Sequence, residues 1–247
     1  MEGKFIDINC DVGEGMGNEA ELLPLISSCN IACGGHAGDD ETMAQVIQLA
    51  KKYDIKPGAH PSYPDTKNFG RSTMEIEPEA FVESIRAQIN RLENILDHEG
   101  VSLHHIKPHG ALYNDLAKNE ALADLFLEVV TPYKKGTILY VPPNSVIAEK
   151  AVHQGFHVKY EAFADRSYNE DLSLVSRKLP NAVLNEPQQV LDHLVKMVIE
   201  NKVMTINGRE TNINAQTYCV HGDTPGALRI LMYLSKELPK KHIYIKK

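Results

Sequence analysis

The chain has 247 residues, a length that suits one (β/α) barrel and allows a large buried core. Its formal net charge of −7 argues against a general role in binding nucleic acid or anionic membranes. No apolar run is long enough to span a bilayer, and the N-terminal segment lacks the apolar region of a signal peptide. The four cysteines are few and lie in apolar segments. We therefore expect a cytoplasmic protein with reduced thiols and one domain, residues 1–247.

Seven short apolar runs each lead into a turn, most with Gly or Pro. In chain order they are FIDINCDVGEG, SCNIACGGHAGD, IKPGAHPSYPD, HHIKPHGALYN, TILYVPP, HVKYEAFADRSY and QTYCVHGDTPG. Stretches with helical periodicity separate most of them. Alternation of strands and helices is typical of a parallel sheet, and no GxGxxG or Walker motif supports an open nucleotide-binding sheet. We predict a closed TIM-like α/β barrel slightly short of eight units.

The intervening helices are predicted from apolar stripes and from residues that begin or end helices. Asp39 and Asp40 precede a helix that ends at Tyr53, and Pro78 begins a long helix that ends at Gly100. Four more are predicted, at about residues 120–130, 144–155 with Asn144 as the cap, 187–200 and 225–237. The longer loops 66–76 and 169–184 are expected to cover the rim as lids. The basic C-terminal segment KELPKKHIYIKK is interpreted as a solvated terminus.

The first strand places three polar side chains on one face. Asp7, Asn9 and Asp11 alternate with apolar residues, and Glu14 follows in a glycine-rich turn. An exposed edge strand would explain this pattern, but the first strand of a closed barrel has no free edge. A buried carboxylate requires pairing or a ligand, so the pattern favours a functional site.

Three histidines and a lysine end the next predicted strands. His36 lies among glycines, His60 precedes Pro61, and Lys107 and His109 share one face. With Asp11 they form either an acid–base cluster or a metal site, in which case the ligands would be Asp11, His36, His60 and His109. Lys107 could balance a substrate carboxylate or a developing oxyanion.

Later motifs add charged residues with weaker support. Asp165 could orient a histidine or act as a base, while Arg166 and Arg71 are candidates for binding an anion. His221 and Asp223 rank lower, because Asp223 is interpreted as a helix cap. No GxSxG motif is present, and Cys10 should point away from Asp11. The residues therefore favour attack of water on a carbonyl group.

The motifs DINCDVGEG, SCNIACGGHAGD, GAHPSYPD with FGR, IKPHGALYN, FADRSY and CVHGD together resemble the LamB/YcsF family nearly end to end. The resemblance implies a (β/α)7 barrel of the glycoside hydrolase/deacetylase type. It also implies ATP-dependent opening of the 5-oxoproline lactam to glutamate, as the A component of a prokaryotic 5-oxoprolinase with partner subunits B and C. Two positions depart from the family pattern: Gly35 replaces a usual Phe, and Ser72 replaces a second Arg.

The resemblance and the motif positions together suggest roles for the rim residues. The predicted catalytic residues are Asp11, His60, Lys107 and His109, with Asp11 or a histidine as general base. The predicted substrate-binding residues are Asp7, Asn9, Glu14, His36, Arg71, Asp165 and Arg166. ATP is expected mainly on the partner subunits, because this chain has no phosphate loop, and a divalent metal is left open. Two alternatives remain: a metal-dependent deacetylase or other amidohydrolase, and a non-catalytic subunit that delivers substrate.

Overall fold

Helices separate most of the strands along residues 3–247, the part of the chain that the computed structural model describes. The first two residues of the expected domain lie outside this range. The strands are β1 (Lys4–Val12), β2 (Ser28–Ala32), β3 (Lys56–His60), β4 (His105–Ile106), β5 (Ile138–Val141), β6 (His157–Phe163), β7 (Lys202–Met204), β8 (Glu210–Asn212), β9 (Thr217–Cys219) and β10 (Ile243–Ile245). The helices are α1 (Glu19–Leu22), α2 (Asp40–Tyr53), α3 (Pro78–Glu99), α4 (Gly110–Leu116), α5 (Glu120–Val130), α6 (Val146–His153), α7 (Pro187–Glu200) and α8 (Ala227–Glu237).

Seven of the strands close into a parallel barrel in the order β1-β2-β3-β4-β5-β6-β9, and β9 pairs back with β1. On one edge of β1, Asp7 is in register with Thr217 of β9; on the other, Asn9 is in register with Ser28 of β2. All seven barrel strands lie in the runs that the sequence indicated. The predicted seven-stranded TIM-like barrel is confirmed.

Most predicted helices also form where expected, with two corrections at their starts. Asp39 caps α2 by accepting a hydrogen bond from the Thr42 amide, and Gly100 ends α3 with a φ of +65°. Asn144 is not the cap of α6, because the Ser145 side chain accepts the hydrogen bond from the Ala148 amide. The last helix, α8, begins two residues later than predicted.

The C-terminal segment is not simply solvated. Its strand β10 pairs with the first residues of β1, from Lys4 opposite Ile243 to Ile6 opposite Ile245, and Ile243 is fully buried. The sequence also gave no signal for β7 and β8, which form a short antiparallel hairpin. Within residues 3–247, no helix combines the length and apolarity needed to cross a membrane.

The two faces of β1 show how the barrel is built. Ile6, Ile8, Cys10 and Val12 belong to the apolar core. The alternate residues Asp7, Asn9 and Asp11 are buried on the opposite face, inside the barrel. Because β1 has strand neighbours on both edges, the edge-strand explanation for these polar residues is excluded.

Candidate active site

A polar network fills the barrel interior, where apolar side chains are usual. Asn9 donates hydrogen bonds to Glu161 Oε1 and Thr217 Oγ1, each at 2.8 Å. Asn30 donates to Asn9 Oδ1 and Asp11 Oδ1, each at 2.7 Å. These contacts link β1 with β2, β6 and β9, so the network ties four strands together and holds the rim residues above it in place.

Lys107 is the central cation of the upper barrel. Its Nζ lies 3.0 Å from Asp11 Oδ1, 2.9 Å from Glu161 Oε1 and 3.2 Å from Cys219 Sγ. Burial lowers the pKa of Lys107, but the charges of Asp11 and the other neighbours outweigh it and hold that pKa well above its ordinary value. Burial likewise raises the pKa of Asp11, yet Lys107 and His60 bring it well below the usual range. The site therefore contains a buried ammonium–carboxylate pair.

Four buried side chains, Glu14, His36, His60 and His109, form what we call the histidine cluster. His36 Nε2 lies 2.8 Å from Glu14 Oε1, and His60 Nε2 lies 2.9 Å from His109 Nδ1. The rings of His36 and His109 are stacked, with centroids 3.6 Å apart. Burial lowers the pKa of His36 and brings that of His109 well below its ordinary value. Three imidazoles and a carboxylate are a donor set suited to a divalent transition metal.

The loop 66–76 covers this cluster, as predicted for a lid. His109 Nε2 donates to the Phe69 carbonyl at 3.0 Å, and the Phe69 ring stands edge-on to His36. Phe69 adopts a φ of +55°, which is a costly conformation for an aromatic residue. The two contacts with His109 and His36 offset this cost. A Cβ added to Gly70 would come within 3.0 Å of His109 and His36. The tight turn therefore requires glycine here.

A second group on the rim consists of Asp165 and His221. His221 Nδ1 donates to Asp165 Oδ1 at 2.9 Å, and the His221 amide and Thr224 hydroxyl donate to Oδ2. The His221 ring also stacks on Phe163. Because Nδ1 is occupied by the carboxylate, Nε2 is the ring nitrogen left to act as a base. Burial raises the pKa of Asp165, but His221 and these hydrogen bonds hold it below its ordinary value.

Both groups open onto one cavity of about 490 Å³. Asp11, His60, Lys107, His109 and His221 line its floor and sides. The loops contribute a surplus of positive charge, from Arg71, Arg166, Arg177 and Lys178. A cavity of this size suits a small ligand, and its charge suits an anionic one.

Asp223 joins the two loops and does not cap a helix. Its carboxylate forms an ion pair with Arg71 of the first loop, and its Oδ1 lies 3.7 Å from Arg177 Nη2 of the second. The N-cap of α8 is Gly226. The interpretation of Asp223 as a cap was therefore wrong.

Arg166 is partly engaged by the second loop, because its Nε and Nη2 donate hydrogen bonds to the Ala182 and Val175 carbonyls. Burial lowers the pKa of Arg166 to about 10.

Some predicted site residues lie away from the cavity. Asp7 accepts hydrogen bonds from Ser28 and Thr217 inside the barrel, and Asn9 lies in the network above it. Glu14 and His36 lie in the histidine cluster, outside the cavity lining. The structure thus brings together Asp11, His60, Lys107, His109, Arg71 and Arg166 around the cavity, with Asp165 behind His221.

Sequence reasoning missed Asn30, Glu161 and Cys219. All three could have been found by the alternation that singled out β1, because each lies two residues from another inward-facing polar or aromatic side chain.

The departure from the family pattern at Gly35 also has a structural basis. A Cβ there would clash with Gln88 Oε1 and Ser62 Oγ, so Gln88 occupies the space that a larger residue would need.

Comparison with known proteins agrees with the motifs. The model of the LamB/YcsF family matches residues 6–247. The chain is 39% identical over 245 residues to the A subunit of 5-oxoprolinase from Pyrococcus horikoshii, covering 97% of this chain and 96% of the relative. It is 40% identical over 245 residues to the protein of the same name from Staphylococcus haemolyticus, covering 97% and 98%.

Solved structures show the same fold. The lactam utilization protein from Thermus thermophilus matches with a TM-score of 0.90 and 33% identity, covering 100% of this chain and 99% of that one. An uncharacterized protein from Agrobacterium tumefaciens matches with a TM-score of 0.59 at 12% identity, covering 99% of this chain and 87% of that one, which indicates a shared fold alone. On the family match and the full-length relatives, the chain belongs to the LamB/YcsF family.

Proposed function

We propose that this chain is the A component of an ATP-dependent 5-oxoprolinase and opens the 5-oxo-L-proline lactam to L-glutamate. One observation carries the proposal: an oriented imidazole, His221, and a buried ammonium, Lys107, line the same cavity under a cationic rim. The names of the relatives, which specify 5-oxoprolinase and lactam utilization, support this substrate class.

The cavity offers a complement to each polar part of 5-oxoproline, a small ring with one carboxylate, one N–H and one carbonyl. Arg71, Arg166 and Lys178 supply positive charge for the carboxylate. Lys107, deeper in the cavity, is suited to the negative charge of the phosphoryl group that the lactam oxygen carries after ATP cleavage. His221, with Asp165 behind it, is better suited to be the base than Asp11, whose low pKa makes it a weak base.

The proposed reaction has three steps. Transfer of the γ-phosphoryl group to the lactam oxygen releases ADP and makes the ring carbon electrophilic. His221 accepts a proton from water as the water oxygen bonds to that carbon, and the C–N bond then breaks while the ring nitrogen receives a proton. A second water cleaves the resulting acyl phosphate, which gives phosphate and the side-chain carboxylate of glutamate.

ATP binding belongs to partner subunits in this proposal. The chain has no Walker or glycine-rich phosphate-binding motif, and the cationic loops surround a cavity that suits a small anion. The relatives are named as one component of a larger enzyme, which supports an assembly, and we propose subunits B and C as the partners.

The test is release of glutamate from 5-oxoproline with ATP, measured with the purified chain alone, with subunits B and C alone, and with all three. We expect stoichiometric ADP and glutamate only with all three. Two outcomes contradict the proposal. Hydrolysis of simple amides without ATP would favour an amidohydrolase or deacetylase, the alternative that the histidine cluster supports. Full turnover with His221→Ala in an intact complex would favour a subunit that only delivers substrate.

A further inference from the structure

The outer contacts of the histidine cluster fix where the ring protons lie. His60 Nδ1 lies 2.7 Å from the Lys107 carbonyl, and His109 Nε2 lies 3.0 Å from the Phe69 carbonyl. A carbonyl oxygen only accepts hydrogen bonds, so both of these nitrogens carry protons. In neutral rings the other nitrogens, His60 Nε2 and His109 Nδ1, then present lone pairs.

These two lone pairs face each other at 2.9 Å. Carboxylates approach the same nitrogens: Glu14 Oε1 lies 3.4 Å from His109 Nδ1, and Asp11 Oδ1 lies 3.4 Å from His60 Nε2. Acceptors this close repel one another unless a positive charge lies among them. The cluster therefore requires either an extra proton or a cation.

His36 extends the same pattern. Ser62 Oγ donates to the Tyr63 carbonyl, so its oxygen accepts a hydrogen bond from His36 Nδ1. His36 Nε2 then presents its lone pair to Glu14 Oε1, at 2.8 Å. A proton on one ring nitrogen relieves only the contact on which it lies, whereas one metal ion accepts several lone pairs once the parallel rings of His36 and His109 turn toward it.

We propose that Glu14, His36, His60 and His109 bind one divalent transition-metal ion, with Zn²⁺ the best match to three imidazoles and one carboxylate. Each ring's outer nitrogen is held by a carbonyl or hydroxyl oxygen, the arrangement that orients metal-binding histidines in proteins. The buried positions of all four side chains favour binding of one ion to the exclusion of bulk water.

This donor set differs from the one that the sequence suggested, in which Asp11 took the place of Glu14. Asp11 Oδ1 already accepts hydrogen bonds from Lys107 and Asn30, which stabilise its charge without a metal. Glu14 has no lysine or arginine partner among the described residues and faces two imidazoles. The inference stands apart from the lactam chemistry, because metal binding is measured without turnover.

The test begins with elemental analysis of the purified chain and calorimetric titration of the chelator-stripped chain with Zn²⁺ alone. We expect about one equivalent of metal per chain. Co²⁺ in place of Zn²⁺ should give visible absorption bands from a site with nitrogen ligands. His109→Ala and Glu14→Gln should each weaken Zn²⁺ binding at least about 100-fold, since losing even an outer partner of a ligand costs roughly 10–100-fold.

His157→Ala is the matched control, because His157 is exposed at the start of β6, far from the cluster, and should bind Zn²⁺ as the unaltered chain does. Circular dichroism checks that each variant is folded. The wild-type chain alone can overturn the inference. If it is folded, takes up almost no Zn²⁺ and shows no Co²⁺ bands, the inference fails. It also fails if ¹⁵N spectra show a shared proton between His60 and His109 that Zn²⁺ does not displace.

Discussion

Two groups of side chains face the same cavity and differ in how their protons are distributed. On one side, His221 Nδ1 and the Thr224 hydroxyl both donate to the Asp165 carboxylate, so every polar contact joins a donor to an acceptor. On the other, His60 and His109 direct lone pairs at each other. The first group is complete as it stands and leaves His221 Nε2 free, whereas the second requires a positive charge, either an extra proton or the proposed metal ion. Proximity to one cavity therefore does not give these histidines one role.

The largest expected effect separates the two groups directly. His221→Ala removes the proposed base and should lower kcat for ATP-dependent glutamate formation by roughly 10²–10⁴-fold, the usual contribution of a general base. Zn²⁺ binding by the same variant should be unchanged, because His221 does not touch the histidine cluster. Steady-state kinetics of the complete complex and calorimetry measure the two quantities.

Asp165→Asn tests the same comparison more finely. The amide can present a donor to Nδ1 and so favour the tautomer with a proton on Nε2, which would block the base without removing the ring. We expect a large fall in kcat with little change in KM. Equal losses of Zn²⁺ binding and turnover in both variants would show that the two groups act as one.

The next effect is on stability and concerns Lys107. Lys107→Met removes the cation between Asp11 and Glu161 and leaves their carboxylates buried without a counter-charge. The free energy of unfolding should fall by about 3–5 kcal/mol, the usual cost of breaking a buried pair. Chemical denaturation measures this loss.

Lys150→Met is the control for that loss. Lys150 pairs with Asp124 at 3.0 Å, but the Asp124 side chain is 55% exposed. We expect a loss of roughly 0–1 kcal/mol, as for other solvent-screened pairs. Similar losses in the two variants would mean that Lys107 is not the central cation of the barrel.

A further prediction follows from the lowered pKa of Asp165. Because the folded-state pKa lies below the unfolded value of about 3.8, ionised Asp165 stabilises the fold above that pH. This contribution is lost as the pH falls below 3.8 and through the folded-state pKa. The difference in unfolding free energy between wild type and Asp165→Asn should therefore be constant near neutrality and shrink in acid. A difference that grows in acid would contradict the lowered pKa.

Much of the fold could be predicted because local patterns determine it. Neighbouring residues alone determine the polar–apolar alternation of β1 and the start and end of α3. The structure confirms both elements. The short strand β10 could not be predicted, since its stability comes from pairing with β1 across the whole chain. The partners of His221 and Lys107 likewise depend on which strands meet around the barrel. The position of a residue along the chain does not reveal which strands will be its neighbours.

Asp223 shows the same limit from the opposite direction. Its position before a helix matched a common local role, capping, while its actual partners come from two loops that are distant in the chain. A local pattern therefore predicts a residue's role only when its partners are also local. Asp165 was ranked as a possible partner for a histidine, but the sequence could not say which one.

The smallest expected effect concerns the link that Asp223 forms between the two loops. Asp223→Asn removes a partly exposed ion pair worth at most about 1 kcal/mol, so the global free energy of unfolding should hardly change. The loop 169–184 should open more often, by at most about fivefold, which is the factor that about 1 kcal/mol gives. Limited trypsin digestion reports this directly, because Arg177 and the exposed Lys178 lie in that loop. Glu170→Gln, which breaks the Arg209 pair at the other end of the loop, is the control. If Asp223→Asn is cleaved no faster than the control and the wild type, Asp223 does not hold the loops together. Its role is then to balance the charges of Arg71 and Arg177.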